Sequence, residues 1–254
     1  MATADPVAVK VARELDSAAG EFVGVPWDTF ERWFAAAWKP GQHVALIGPT
    51  GEGKSTFAVR VLAHRKWVMA LDPKGGDSTL AASGFEKIFD WPLDEKTLNE
   101  LAEGLPKRLI ASGSVRTNGQ LVKLKTLMGK ATEGVREQGG WTFYADEFQV
   151  LADRRMYGLD KEVELLLVAA RDDGISVMTS YQAMAWVPRA ATRQATWVGL
   201  WPTRDEDMIK SVARTMGRSW KVVLAAVKEL PEFHCIVIPK KIHAPMVITS
   251  APEL

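Results

Sequence analysis

Cysteine, histidine and long apolar runs are all scarce in this sequence, and each scarcity excludes a class of protein. Cys235 is the only cysteine in 254 residues, so the chain has no disulfide framework. The 4 histidines do not have the spacing of metal ligands. No apolar run reaches the ~20 residues that cross a bilayer, and the N-terminus lacks a signal-peptide pattern. We therefore expect a soluble, cytoplasmic protein without a transmembrane segment.

An excess of charge of either sign is also missing. Lysine and arginine together number 32 and aspartate and glutamate 31, which gives a net charge of +1. Because no global basic field is present, any contact with DNA must come from local patches. The length and the apolar fraction of 47% fit one α/β domain with additions, large enough to bury a sizeable core.

The most informative stretch of the chain begins with a mostly apolar segment, His43–Ile47, which predicts a short buried strand. The residues that follow match G-x-x-x-x-G-K-[ST], the P-loop pattern. Its glycines let the backbone turn tightly and aim N–H groups at phosphate oxygens, and the next helix adds its positive N-terminal end. Lys54 can reach the β- and γ-phosphates, and the Ser55 hydroxyl can ligate Mg²⁺. The alternative is a glycine-rich turn with a surface lysine. The predicted nucleotide-binding residues are Gly48, Pro49, Thr50, Gly51, Glu52, Gly53, Lys54, Ser55 and Thr56.

A second stretch, Trp141 to Glu147, predicts an aromatic-rich strand that ends in two adjacent carboxylates. Asp146 stands where P-loop NTPases place the Walker-B aspartate, which supports Mg²⁺ opposite Ser55. Glu147 lies just past the strand and can polarise an attacking water as a general base. Two carboxylates at the end of a buried strand would be costly without a cation to offset them. The alternative is a surface loop that begins with acids.

Two other predicted strands end in polar residues whose roles the pattern leaves open. The apolar strand Trp67–Leu71 runs into Asp72, which could hold an activating water or a neighbouring subunit, or could belong to a polar loop. The strand Ile175–Ser180 is followed by Gln182. That glutamine can sense the γ-phosphate or orient water, or it can hydrogen-bond a loop.

The rest of the chain divides at residue 40. Residues 1–40 predict an N-terminal helical segment with helices at 6–19 and 27–38, and residues 41–254 predict the P-loop ATPase domain. We expect the aromatic stripe of the second helix to pack against the core, with a partner-binding surface as the alternative. Other apolar patterns predict strands at 85–91, 108–111 and 197–201, helices at 96–104, 121–135, 162–172, 206–216 and 219–229, and a closing hairpin at 233–238 and 246–250.

Taken in order, these motifs resemble the FtsK/HerA superfamily of ring-forming, DNA-pumping ATPases. That superfamily includes chromosome translocases, conjugation coupling ATPases and viral genome-packaging ATPases. The P-loop and the Asp-Glu pair occur in many NTPases, whereas the two short elements around Lys74 and Gly174 point to this branch. The resemblance spans about residues 41–238 and rests on Gly48–Thr56, Asp72-Pro73-Lys74-Gly75, Asp146-Glu147, Arg171-x-x-Gly174-Ile175 and Ser180-Tyr181-Gln182.

The resemblance implies a RecA-like α/β fold, with a mostly parallel central sheet and helices on both faces. In that sheet the Gln182 strand separates the P-loop strand from the Asp146 strand. The resemblance also implies ATP and Mg²⁺ as cofactors, and a homo-oligomeric ring, usually hexameric, around double-stranded DNA. Because the chain shows no membrane segment and no winged-helix module after residue 250, a compact viral packaging or plasmid-transfer motor fits better than a large chromosome translocase. A packaging motor would add a capsid portal or a membrane vertex protein as partner, and it would be virion-associated if viral.

Within that family, each motif residue takes an expected role. Lys54 and the loop amides hold phosphates, Ser55 and Asp146 hold Mg²⁺, Glu147 activates water and Gln182 senses the γ-phosphate. The competing class is an ATP-dependent switch or assembly factor that acts on a protein partner without moving DNA. A small-molecule kinase is a third and weaker hypothesis, because a kinase needs no residue such as Glu147 to activate water.

The remaining expectations concern arginines that complete a neighbouring active site or contact DNA. Arg171 is the predicted finger that reaches a neighbour's site, with a helix C-terminal cap as its alternative role. Its rivals as the finger are Arg189, Arg193 and Arg204. The loops around Arg116 and Arg154-Arg155 are the predicted DNA contacts.

Overall fold

The computed structural model describes residues 21–169, 172–182, 189–241 and 244–250. The helix expected at 6–19 lies outside these ranges. The strands are β1 (Phe22–Gly24), β2 (His43–Ile47), β3 (Trp67–Asp72), β4 (Glu86–Lys87), β5 (Lys107–Ser112), β6 (Thr142–Ala145), β7 (Ser176–Tyr181), β8 (Ala195–Leu200), β9 (His234–Pro239) and β10 (Met246–Ser250).

The helices of the described ranges connect these strands and flank them. They are α1 (Trp27–Ala37), α2 (Lys54–Leu62), α3 (Ser78–Ala82), α4 (Glu95–Ala102), α5 (Asn118–Gln138), α6 (Phe148–Ala152), α7 (Asp160–Ala169), α8 (Arg189–Arg193), α9 (Glu206–Thr215) and α10 (Trp220–Glu229). Within the part of the chain that the structure describes, no helix combines the length and the apolar character needed to cross a membrane.

All of these strands join one sheet in the order β1-β10-β9-β8-β2-β7-β6-β3-β5-β4. From β8 to β4 the neighbouring strands are parallel, whereas β9 runs antiparallel to both β8 and β10. Strand β7 therefore separates β2 from β6, as the resemblance implies. The mostly parallel α/β fold and the C-terminal hairpin are confirmed.

The sheet has a hydrophobic core on each face because successive side chains of a strand point to opposite sides. In β2, Val44 and Leu46 join the core beneath α1 and α2, while Ala45 and Ile47 join the other core. That second core is covered by α5, α7, α9 and α10. The expectation of helices on both faces is therefore confirmed.

Helix α1 packs its aromatic stripe into the first of these cores. Phe30 and Phe34 are fully buried, and the Phe34 ring lies 6.0 Å from that of Phe57 in α2 and 5.3 Å from that of Trp197 in β8. The expectation that the stripe packs against the core is confirmed, although Trp33 remains 42% exposed. Strand β1, just before α1, extends the same sheet by pairing with β10.

Several short elements differ from the sequence-based expectations. The strand expected at 85–91 is only Glu86–Lys87, because Phe89 is 81% exposed and the chain leaves the edge of the sheet there. Within the described ranges, four elements were not predicted: β1, α3, α6 and α8. Each is five residues or shorter, too short for a periodic apolar pattern to show.

Candidate active site

A cleft of about 760 Å³ opens at the edge of the sheet where β2, β3, β6 and β7 end. Ligands of open α/β sheets bind at this carboxyl edge. The cleft brings together two pairs of neighbouring residues that lie far apart in the sequence, Lys54-Ser55 and Asp146-Glu147. Thr50, Gly51, Gly53 and Thr56 of the predicted P-loop also line it.

The P-loop owes its shape to glycine. Gly51 and Gly53 have φ angles of 86° and 90°, in the left-handed region that favours glycine. A Cβ atom at Gly48 would lie 2.5 Å from Cβ of Trp201, so no side chain fits there. Helix α2 begins at Lys54 directly after Gly53, and its N-terminus therefore faces the cleft, where its dipole favours an anion.

Lys54 is the cation of this loop and is only 8% exposed. Its Nζ donates to the carbonyl oxygen of Pro49 at 2.5 Å. Burial lowers the pKa of the Lys54 ammonium, and the nearby carboxylates of Glu147, Asp146 and Glu52 oppose that shift. A buried ammonium beside phosphate-sized space is suited to bind an anionic group.

Ser55 has a partner that the sequence did not predict. Its hydroxyl donates to Oδ2 of Asp77 at 2.8 Å, and both residues line the cleft. Asp77 follows the glycines of the loop after β3 and caps the N-terminus of α3. Asp146, which we expected opposite Ser55, lies in the same cleft but is held by other groups.

Asp146 is buried at the end of β6. Its Oδ1 accepts the hydroxyl of Tyr144 at 2.8 Å and that of Ser180 at 2.5 Å. Burial raises the pKa of the Asp146 carboxyl, the two hydrogen bonds oppose the rise, and the charges of Asp77 and Glu147 add to it. A bound cation would relieve this repulsion between acids.

The oxygens of Ser55 and Asp146, which line the same cleft, fit a magnesium ion bound together with nucleotide. Mg²⁺ prefers oxygen ligands and is usually held by one or two carboxylates together with substrate phosphates and waters. Among the described residues, no group of three or more His, Cys, Asp or Glu side chains could hold a metal ion. The nearby phosphate-binding loop supplies the setting in which phosphate oxygens complete such a site.

Glu147 lies just beyond β6 in a left-handed backbone conformation with φ of 45°. Such a conformation costs about 1–3 kcal/mol in a non-glycine residue and is often found at functional sites. Its Oε1 accepts Nζ of Lys74 at 2.8 Å and Nε2 of Gln182 at 2.7 Å, and its Oε2 accepts Nε2 of Gln149. The side chain is therefore fixed at the cleft, with Gln182 placed against it.

The loop after β3 directs Lys74 toward Glu147. Oδ1 of Asp72 accepts the backbone N–H groups of Lys74 and Gly75 at 3.1 and 2.9 Å, and its Oδ2 accepts the Ser112 hydroxyl at 3.0 Å. Among the roles left open for Asp72, this geometry favours the organisation of the loop. The sequence motif pointed to this loop, but not to the ion pair that Lys74 makes.

Phe233 is a further cleft residue that the sequence did not indicate. It precedes β9 with φ of 62°, a strained conformation for a bulky side chain, and is 49% exposed. Its backbone N–H donates to Oε2 of Glu52 in the P-loop at 3.4 Å. The exposed ring beside the P-loop offers a face on which a base could stack.

The structure describes some of the arginines singled out in the sequence and not others. Arg171, expected to be the finger, lies outside the described residues, as does the side chain of Arg189. The rivals Arg193 and Arg204 are exposed. Arg116, Arg154 and Arg155, at the expected DNA contacts, are also exposed.

The loop that carries Arg154 and Arg155 is tied to the cleft. Tyr157, which is fully buried, donates its hydroxyl to the carbonyl oxygen of Pro73 at 2.7 Å. Pro73 precedes Lys74, the partner of Glu147. The Tyr157–Pro73 hydrogen bond and the backbone from Pro73 to Lys74 therefore link the basic loop to the cleft.

The fold is that of a P-loop NTPase. The genome packaging NTPase B204 from Sulfolobus turreted icosahedral virus 2 in complex with sulfate has a TM-score of 0.57 and 17% identity, over 85% of this chain and 99% of B204. Its complex with AMPPCP gives a TM-score of 0.56 and 18% identity, over 85% and 99% of the two chains. VirB4 of Thermoanaerobacter pseudethanolicus has a TM-score of 0.57 and 10% identity, over 84% and 89%.

These structures share the P-loop NTPase fold of this chain, and they include a genome packaging NTPase and VirB4. Comparisons with family models and with curated proteins give no match.

Proposed function

We propose that this protein is a Mg²⁺-dependent ATPase that couples hydrolysis to the movement of double-stranded DNA, in packaging a viral genome into a capsid. One observation carries the proposal: the cleft joins the phosphate-binding loop of Lys54 and Ser55 to the carboxylates of Asp146 and Glu147. That combination is what phosphoryl transfer to water requires. The shared fold with a genome packaging NTPase that has been seen with AMPPCP supports it.

We propose a role for each of these residues. Lys54 and the loop N–H groups bind phosphate oxygens, while Ser55 and Asp146 hold Mg²⁺, which when bound neutralises charge on the phosphates. Glu147 takes the proton of the attacking water. Gln182 is the proposed sensor of the γ-phosphate, a role supported by the hydrogen bond that its Nε2 donates to Oε1 of Glu147 at 2.7 Å.

The DNA contact is proposed for the loops around Arg116 and Arg154-Arg155. Exposed arginines bind the phosphate backbone without regard to sequence, and such binding weakens as salt rises. The Tyr157–Pro73 hydrogen bond supports this assignment. Through it, a change in the basic loop on DNA binding could alter the positions of Lys74 and Glu147.

The assembly is proposed to be a homo-oligomeric ring, hexameric as in the family that the chain resembles. Arg171 stays the proposed finger that completes a neighbour's site in such a ring. An arginine in that role stabilises the charge that spreads over the γ-phosphoryl oxygens. A capsid portal or a membrane vertex protein is the proposed docking partner of a packaging ring.

ATP turnover with and without double-stranded DNA tests this proposal, and a native mass measurement reports the ring. We expect DNA to stimulate turnover, and the double variant Arg154→Ala, Arg155→Ala to lose that stimulation because the backbone contact is gone. Arg32→Ala, Lys39→Ala removes the same charge from exposed positions on and after α1 and should keep the stimulation.

The alternative function, an ATP-dependent switch or assembly factor, is favoured by the net charge of only +1. A protein of that class would hydrolyse ATP at a rate that DNA does not change. Contacts with the DNA backbone are strongest at low salt. An ATP turnover rate that DNA does not change under that condition would therefore favour the switch over the motor.

A further inference from the structure

Asp77 is a carboxylate of the cleft to which the proposed roles assign no part. Its Oδ2 accepts the Ser55 hydroxyl at 2.8 Å. Its Oδ1 accepts the backbone N–H groups of Thr79 and Leu80 at 2.8 and 3.0 Å. One oxygen therefore fixes the carboxylate to the start of α3, while the other is presented to the P-loop serine.

This contact determines which way the Ser55 hydroxyl points. A serine hydroxyl has one proton and two lone pairs. When the proton is directed to Asp77, both lone pairs of Ser55 Oγ are left for other partners. Hydrogen bonds to a charged acceptor are about twice as strong as neutral ones, so Asp77 holds the hydroxyl in this rotamer.

The Ser55 hydroxyl donates to Asp77 and not to Asp146. Asp146 is held instead by side chains of the sheet. Tyr144 and Ser180 both donate to Oδ1 of Asp146, and Oδ2 takes part in neither bond. Asp77 and Asp146 are thus held by separate parts of the fold. Asp77 belongs to the loop after β3, and Asp146 belongs to β6 and β7.

We propose that Asp77 is the positioning residue of the magnesium site. It accepts the hydrogen bond of the Ser55 hydroxyl so that Ser55 Oγ offers its lone pairs to the metal ion, while Asp146 supplies the carboxylate. The inference rests on the proposed function, since Mg²⁺ enters this cleft with ATP. Removal of a residue that hydrogen-bonds a metal ligand typically lowers metal affinity ~10–100-fold.

The test is the affinity for Mn²⁺, a paramagnetic substitute for Mg²⁺, measured by electron paramagnetic resonance in the presence of AMPPCP. Asp77→Asn keeps an amide oxygen to cap α3 but places an N–H donor where Oδ2 accepts from Ser55. We expect Mn²⁺ affinity to fall ~10–100-fold, with metal-free AMPPCP affinity unchanged. Asp77→Ser, whose hydroxyl also caps helices but is too short to reach Ser55, should show the same loss and serves if the first variant fails to fold.

Asp94→Asn is the matched control. Asp94 caps α4 by accepting the Thr97 N–H at 2.9 Å, a geometry like that of Asp77, but it is absent from the cleft lining. We expect this variant to bind Mn²⁺ with the wild-type affinity. Weaker Mn²⁺ binding by Asp94→Asn would show that a change at a capping aspartate outside the cleft also lowers metal affinity, and would overturn the proposal.

A double-mutant cycle separates positioning from direct ligation. If Asp77 acts through Ser55, then Ser55→Ala with Asp77→Asn should bind Mn²⁺ no more weakly than Ser55→Ala alone. Additive losses would make Asp77 a ligand in its own right, and an unchanged affinity in Asp77→Asn would make it a helix cap alone; either result overturns the proposal. A wild-type protein that binds neither AMPPCP nor Mn²⁺ would instead contradict the proposed function.

Discussion

Glu147→Gln is expected to bind ATP and to hydrolyse it ~10²–10⁴-fold more slowly, the usual contribution of a general base. The amide keeps the size of the side chain, and its oxygen can still accept hydrogen bonds from Lys74 and Gln182. The substitution removes the proton acceptor, together with the charge that pairs with Lys74 and the oxygen that accepts from Gln149, so ATP-bound assemblies should accumulate. Single-turnover hydrolysis and equilibrium ATP binding, measured on the same preparation, separate the two effects.

Asp146→Asn is the comparison for that variant, because it removes a negative charge at the neighbouring position. We expect weaker nucleotide affinity and a reduced dependence on Mg²⁺, since the role of Asp146 is on the metal. Equal ATP affinities in the two variants would mean that the division of labour between these carboxylates is wrong.

Lys54→Ala is expected to abolish turnover and to weaken ATP binding, because it removes the cation that faces the β- and γ-phosphates. The fold should survive, since the ammonium makes a single described hydrogen bond, to the Pro49 carbonyl, and a buried charge is costly to keep. Turnover assays, nucleotide titrations and thermal unfolding of the same preparations give the three readouts.

Lys66→Ala is the charge-matched control, since Lys66 is exposed and lies shortly after the end of α2. It should keep wild-type turnover. Lys54→Arg should not restore activity, because a guanidinium fork does not replace a compact ammonium in this loop. Wild-type turnover in well-folded Lys54→Ala would remove the P-loop assignment altogether.

The sequence predicted the parts of the site that local chemistry determines. A P-loop needs its glycines and lysine in a fixed order, so Gly48–Thr56 identified the loop and the start of α2. The buried strand before Asp146 and Glu147 was also predicted, because an apolar run followed by two acids is a local pattern. The position of β7 between β2 and β6 came from the family resemblance and is confirmed by the strand order.

What the sequence could not predict depends on contacts between distant segments. Ser55 meets Asp77 because the loop after β3 turns back over the P-loop, and no spacing rule encodes that approach. Lys74 lies in a recognised motif, yet its ion pair with Glu147 requires β3 and β6 to be neighbours. Phe233 faces the cleft through a strained backbone that no propensity indicates.

The central claim is that ATP hydrolysis in this cleft moves the protein along double-stranded DNA. Displacement of a third-strand oligonucleotide from a duplex measures that movement directly, because a translocating ring strips the triplex as it passes. The account predicts displacement by the wild-type protein with ATP, and none with AMPPCP or with Glu147→Gln. A wild-type protein that hydrolyses ATP on this DNA and leaves the triplex intact would contradict it.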